Sequence, residues 1–419
     1  MKKIRDWYAQ CQQEGTADIR YLLLWFMVAI YPLAVIPHPF YISFPAGVVP
    51  PGYFYLPRYV LLVLVALVAL VILLKDRTAI NDVVFIPLMF FVVFLIISSF
   101  LAPIPTTAWI GSPYRFTGAS TYFSCVILFI LARSSSKSEK LLNYLIFTAA
   151  LVSLLALLQY FGINLVYHEA AREGLISYGT LPHPNFLGTY TAFILPAAIL
   201  LFFRTQRLPW LICAALIYAG LLVSLCRGAW LASFVGFFII VYSGLKKPGQ
   251  KRTLCVLAVV FLITTGVLLP AREGALLTRV LSVFGEVTSG VGLKVEAGTY
   301  RMFIWRQVIK LLPLFWAFGV GPDHLIYAHL VTPLQEIADK AHNIYLEMAV
   351  TMGAFALLAY LIFLGFILRG CKGEQGFLYF LMLLVYLLQG FFNIDVVPVL
   401  PLFWIVLGFS AQKIREKRV

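Results

Sequence analysis

The chain has 419 residues, 62% of them hydrophobic, 16% aromatic and only 12% charged, about half the charged share of an average soluble domain. That composition excludes a soluble globule and points to an all-α polytopic membrane protein. The formal charge of +14 would suit nucleic acid if it were gathered on one soluble face, so its distribution between the two sides of a membrane decides that question.

Residues 1–20 mix Lys2, Lys3, Arg5, Asp6, Glu14 and Asp18 with polar side chains. This is too polar for a cleavable leader and suits a short interfacial helix. Hydropathy then predicts spans at 21–36, 59–74, 83–101, 119–132, 141–160, 186–203, 208–225, 229–245, 253–270, 344–368, 377–392 and 397–411. That is about twelve transmembrane helices in a single integral membrane domain, 1–419. An even number puts both termini on one side.

The side holding the termini carries 21 of the 32 Lys and Arg but eight of the 18 acids, a net of +13, which leaves +1 for the other side. The excess charge is therefore topological: both termini are expected in the cytoplasm, and nucleic acid loses its support. On the opposite side the loops are short except for 271–343, between helices 9 and 10. Within that extracytoplasmic loop, Tyr300, Ile304 and Val308 recur at helical spacing, with Arg301 and Trp305 on an adjoining face. They predict an amphipathic helix over 298–312 lying at the membrane surface and closed by Pro313. Gly319, Gly321 and Pro322 predict a tight turn. The sequence has no internal repeat, which argues against the two matched halves common in twelve-helix transporters. Six scattered cysteines (Cys11, Cys125, Cys213, Cys226, Cys255 and Cys371) form no C-x-x-C pair and read as small core residues.

Charges at the rim of spans are the first candidates for chemistry, because keeping them near lipid is costly. Arg227 lies between two spans, Arg301 on the amphipathic helix and Arg115 in the short loop 111–118. Each could snorkel to lipid headgroups, or the three together could grip a diphosphate, whose oxygens guanidinium forks match. His342 opens the tenth span; a histidine with its ordinary pKa near 6.5 is mostly neutral and able to take a proton from a hydroxyl, so transfer should vary between about pH 5 and 8. Glu347 could orient it or pair locally. His183, boxed by prolines, shapes its loop, and Asp395 could pair an arginine. No D-x-D pair occurs on the outer face, and there is no P-loop or G-x-G-x-x-G. Metal-held nucleotide sugars and direct use of ATP or dinucleotides are thus unsupported, and no metal or cofactor is expected.

The stretch Gly298-Thr299-Tyr300-Arg301 with Trp305, then Gly319-Val320-Gly321, then His342-Asn343 to Gly353, resembles the signature region of the O-antigen ligase and Wzy-type polymerase superfamily. The 180–190 stretch with Asn185, the Arg115 loop and Arg227-Gly228 are similar to that family's upstream pattern, with Cys226 where a serine is common. The resemblance implies a GT-C-like, inverting glycosyltransferase of the bacterial inner membrane, working on the extracytoplasmic side without metal or nucleotide. It would move a glycan from undecaprenyl pyrophosphate to an acceptor hydroxyl on lipid A-core or another surface lipid, polymer or protein. It also implies His342, Arg227 and Arg301 as catalytic groups, and Arg115, Asn185, Trp305, Asn343 and Glu347 as substrate contacts. A polymerase joining lipid-linked repeat units shares these motifs. A lipid-linked glycan flippase is the alternative of another class, set back by the lack of charges in mid-membrane.

Overall fold

The computed structural model describes residues 19–35, 54–76, 82–113, 115–166, 176–247, 249–288, 300–331 and 337–416, with the backbone alone at 283–288 and 413–416. In a hydrocarbon medium the backbone must satisfy its own hydrogen bonds, so the apolar runs become helices. In chain order these are α1 (Ile19–Leu33), α2 (Leu56–Lys75), α3 (Phe85–Leu101), α4 (Pro105–Ile110), α5 (Ala119–Arg133), α6 (Ser138–Tyr160), α7 (Pro184–Thr205) and α8 (Leu208–Val223). There follow α9 (Arg227–Lys246), α10 (Gln250–Leu268), α11 (Ala271–Thr288), α12 (Arg301–Phe315), α13 (Ile344–Thr351), α14 (Ala354–Gly370), α15 (Gly373–Gln389) and α16 (Leu400–Glu416). Among the described residues the only β pairing is an isolated bridge between Val331 and Ile337.

The protein is an all-helical, multi-pass membrane protein. Six helices, α2, α6, α7, α9, α10 and α15, are long and apolar enough to cross a membrane; six shorter apolar helices, α1, α3, α5, α8, α14 and α16, stand where the other spans are expected. α7 is the centre, with 89% of its apolar window buried against its neighbours, whereas α10 has 17% buried and turns Val259, Leu262, Ile263 and Val267 outward. Such a face would be a liability in water and is the natural surface toward lipid. At one end of the bundle, Arg20–Asp76 (2.5 Å), Arg133–Asp82 (2.9 Å) and Lys247–Glu374 (2.9 Å) join loops expected on the terminal-bearing side.

Four expectations change. The tenth span, read as one helix over 344–368, is two: α13 stops at Thr351, Gly353 takes φ +89°, and α14 starts afresh. The break is held by the turn that follows α12. Val320 N–H donates to Val350 O (3.0 Å), Gly321 N–H to Thr351 O (2.8 Å) and Ala354 N–H to Trp316 O (2.7 Å). Pro313 does not close α12, which runs on to Phe315; proline removes one donor, and the unmatched carbonyl, that of Ile309, belongs to a 52% exposed residue that water can serve. The 271–343 segment also contains a helix not anticipated, α11, entered through Arg272, Glu273 and Gly274, all left-handed. Cys255 is exposed on α10 rather than part of the core. The expected interfacial helix over residues 1–18, Cys11, and the Gly298-Thr299 start of the amphipathic helix lie outside the described residues.

Candidate functional site

Arg227 and Arg301 each occupy the first position of a helix. α9 begins at Arg227 after Leu225, left-handed at φ 52°, and after Cys226, whose backbone N–H donates to Ser224 Oγ (3.3 Å). α12 begins at Arg301 after Tyr300, also left-handed at φ 63°. A helix N-terminus carries partial positive charge: it repels a cation and attracts an anion, so two arginines placed there describe a site for negative charge. Arg279 of α11 donates its Nε to Leu225 O (3.0 Å), which brings a third guanidinium to the turn before Arg227. Burial pushes the Arg301 guanidinium below its ordinary pKa, and Arg227 and Arg279 press the same way. Arg301 has no ion pair among the described residues.

His342 stands in the turn between 337–341 and α13, left-handed at φ 50°, with Nδ1 buried and without a hydrogen-bond partner among the described residues. An orphaned buried polar atom calls for an explanation, and a bound substrate oxygen would supply one. Burial, followed by the Arg301 and Arg115 charges, lowers the imidazole pKa to about 4, with Asp339 opposing. The ring is therefore neutral throughout the range in which the sequence reading expected it to titrate. A base with that pKa keeps its proton-accepting form down to about pH 4, below the range expected from the ordinary value.

The residues around His342 are tightly held. Arg115 pairs through Nε with Asp339 (2.6 Å) and donates Nη1 to Tyr55 OH (2.9 Å). Burial works against its charge, but Tyr55 and Asp339 more than offset this and its pKa is raised. Trp305 Nε1 donates to Ala341 O (3.0 Å). Glu347 accepts Ala341 N–H (2.7 Å) and pairs with Lys340 (3.1 Å). Asn343 caps α13, its Oδ1 accepting the N–H groups of Tyr345 (3.0 Å) and Leu346 (3.1 Å). Trp305 and Asn343 thus hold backbone, and Glu347 holds both backbone and the Lys340 ammonium.

Asn185 stands at the start of α7. It lines a cavity of about 620 Å³ with Ser177, His183, Arg272, Glu273 and Arg279, and so connects to the site through Arg279. His183 caps α7, its Nδ1 accepting Asn185 N–H (3.0 Å), in keeping with a loop-shaping role. Asp395 accepts Tyr386 OH (2.8 Å), and no arginine pairs with it among the described residues. Arg301 is the link of the whole arrangement: it shares one electrostatic neighbourhood with Arg227 and Arg279 and another with His342 and Arg115.

Sequence reasoning missed Arg279, Asp339, Lys340, Asp323 and Tyr55. The signal for Arg279 was present in Leu276, Leu277, Val280 and Leu281 around it, an apolar helical pattern in a stretch read as loop.

Residues 211–361 match the family model described as O-Antigen ligase. Over that stretch the chain is similar to the O-antigen ligase family. The matched stretch contains Arg227, Arg279, Arg301, Lys340, His342 and Glu347, and leaves Arg115 and Asn185 upstream. No curated protein matches the chain. Members of the O-antigen ligase family are ligases and polymerases of the glycosyltransferase type, which supports an enzyme acting on lipid-linked glycan in a membrane.

Proposed function

We propose that this protein is an inverting glycosyltransferase, GT-C-like in organisation. In this reading it takes a glycan from undecaprenyl pyrophosphate and passes it to an acceptor hydroxyl on the extracytoplasmic face of the bacterial inner membrane, without metal or nucleotide. The observation that carries the reading is the position of Arg301, at a helix N-terminus between the guanidiniums of Arg227 and Arg279 and a neutral imidazole. Arg227, Arg301 and Arg279 bind the carrier's diphosphate, with Arg115 near the acceptor side. The acceptor oxygen attacks the anomeric carbon from the face opposite the diphosphate. As the new C–O bond forms, the bond to the phosphate oxygen breaks, that oxygen keeps the electron pair, and the acceptor proton passes to His342. The arginines stabilise the charge growing on the leaving diphosphate. Asn185 contacts the donor from the adjoining cavity.

Purified protein given lipid-linked donor, with and without acceptor, tests the proposal. Arg301→Gln is expected to lower transfer by about 100-fold or more, the scale of a lost transition-state charge donor, and to leave the protein folded. A fully active Arg301→Gln protein would falsify the scheme. Donor alone separates the two activities of the class: a polymerase lengthens it, whereas a ligase leaves it unchanged until an acceptor is added. Counterflow of donor with no covalent product would instead make the protein a transporter.

A further inference from the structure

We propose that Lys340 is a positioning residue: a buried ammonium that clamps three separate extracytoplasmic segments and thereby sets the orientation of the His342 ring. The inference rests on the reading of His342 as the group that takes the acceptor proton.

Lys340 is 4% exposed, and its Nζ lies 2.6 Å from Asp323 Oδ1, 3.1 Å from Glu347 Oε1 and 3.0 Å from Thr117 Oγ1. An ammonium has three protons, so every one is committed. Burial alone would discharge the amine; the two carboxylates override it, and its pKa is raised. Each partner in turn holds another piece of chain. Asp323, itself buried and left-handed at φ 60°, accepts through Oδ2 the backbone N–H groups of Ser112 (2.6 Å) and Thr117 (3.3 Å), which brackets the loop carrying Arg115. Glu347 passes its other oxygen to Ala341 N–H (2.7 Å).

The three residues before His342 are therefore fixed one after another. Asp339 is held by Arg115, Lys340 by two carboxylates, and Ala341 by Glu347 on one side and Trp305 on the other. Asn343 fixes the residue after it by capping α13. Between them His342 keeps a left-handed backbone that an unbranched loop residue would not choose, and such conformations persist only where the surroundings over-determine them. Removing a buried pair's partner leaves an uncompensated charge, so the clamp is an expensive way to join loops unless the position it fixes matters.

The test uses the full-length protein with lipid-linked donor and acceptor, and compares Lys340→Met with the parent per folded molecule. The expected result is a kcat lower by about 10- to 100-fold, the scale of a reacting group displaced by an ångström, with KM for donor changed less than about twofold. The acidic limb of kcat/KM is expected to rise from near pH 4 toward the ordinary histidine value. The groups facing the ring are Arg301 from α12, Arg115 from the α4–α5 loop, and Asp339 and Lys340 from its own segment. Loss of Lys340 removes one cation whose field lowers the ring's pKa, and the change raises it.

Histidine-labelled protein followed by NMR, with the His342 signal assigned by its loss in His342→Ala, reads the same upward shift without any reaction. Where Lys340→Met fails to fold, the triple variant Lys340→Met/Asp323→Asn/Glu347→Gln removes the uncompensated charge and is expected to show the same two shifts. An unchanged titration of His342, or an effect confined to donor KM, would overturn the clamp. Full transfer by His342→Ala would instead overturn the functional reading, with the NMR shift still reporting on the clamp by itself.

Discussion

An arginine at the first position of a helix opposes that helix's own dipole, and Arg227 and Arg301 both do so within reach of Arg279. In the proposed function a bound diphosphate would reverse the sign of that balance and also reach His342, whose pKa of about 4 owes part of its depression to Arg301. Two pH limbs are therefore expected. The profile of kcat/KM, which reports the empty enzyme, should fall only near pH 4, while the profile of kcat, which reports the loaded one, should fall at higher pH because bound anion offsets the guanidinium charge. Steady-state kinetics at saturating and limiting donor between pH 4 and 8 check this; coincident limbs would mean that the imidazole and the diphosphate do not share a site. The histidine also acts on stability. Its folded pKa lies below the ordinary value near 6.5, so the stability it contributes is complete above that value and is lost as acid takes the pH down through about 4.

At the scale of elements, the break between α13 and α14 does the positioning. Gly353 is left-handed at φ +89°, and a Cβ there would press on the backbone of Ala317 and Phe318, where the turn after α12 docks. Because that turn pins the end of α12 to the end of α13, Gly353 indirectly fixes the distance between Arg301 and His342. Gly353→Ala is expected to lose about 1–3 kcal/mol from backbone strain alone, and more from the clash. Thermal unfolding in detergent should show the loss, with transfer activity falling alongside it. Hydropathy placed this segment correctly as apolar but read one helix, since a left-handed glycine flanked by Met352 and Ala354 leaves the apolar average untouched. In the same way, the Gly319, Gly321 and Pro322 turn was legible from residue types, whereas its partner across the fold was not.

For the whole molecule, what could be read in advance was what depends on local chemistry: the apolar runs that become helices. What could not be read was pairing over long separations. Lys340 and Asp323 look like ordinary solvated loop charges in the sequence, yet they meet at 2.6 Å in the interior. Arg58 likewise reads as a helix-start cation but is fully buried, donating to Phe54 O (3.1 Å), Pro32 O (2.9 Å) and Thr180 O (2.8 Å). The charge sorting makes its own prediction. In a cysteine-free background, Thr278→Cys on α11 should react with a membrane-impermeant maleimide in spheroplasts, while Lys372→Cys should react only after the membrane is opened. The reverse pattern would invert the topology and move the arginine site to the cytoplasm.

The arginines and their counter-charges enter the fold at different times. Arg115 precedes Asp339 by more than half the chain, and Lys340 reaches Asp323 and Glu347 only after α12 has been made. A nascent chain must therefore hold Arg115 well before the carboxylate that pairs with it leaves the ribosome. Until α13 has followed, Lys340 has no Glu347 to pair with, so its contact with Thr117, Asp323 and Glu347 closes only once both flanks of the turn have been synthesised.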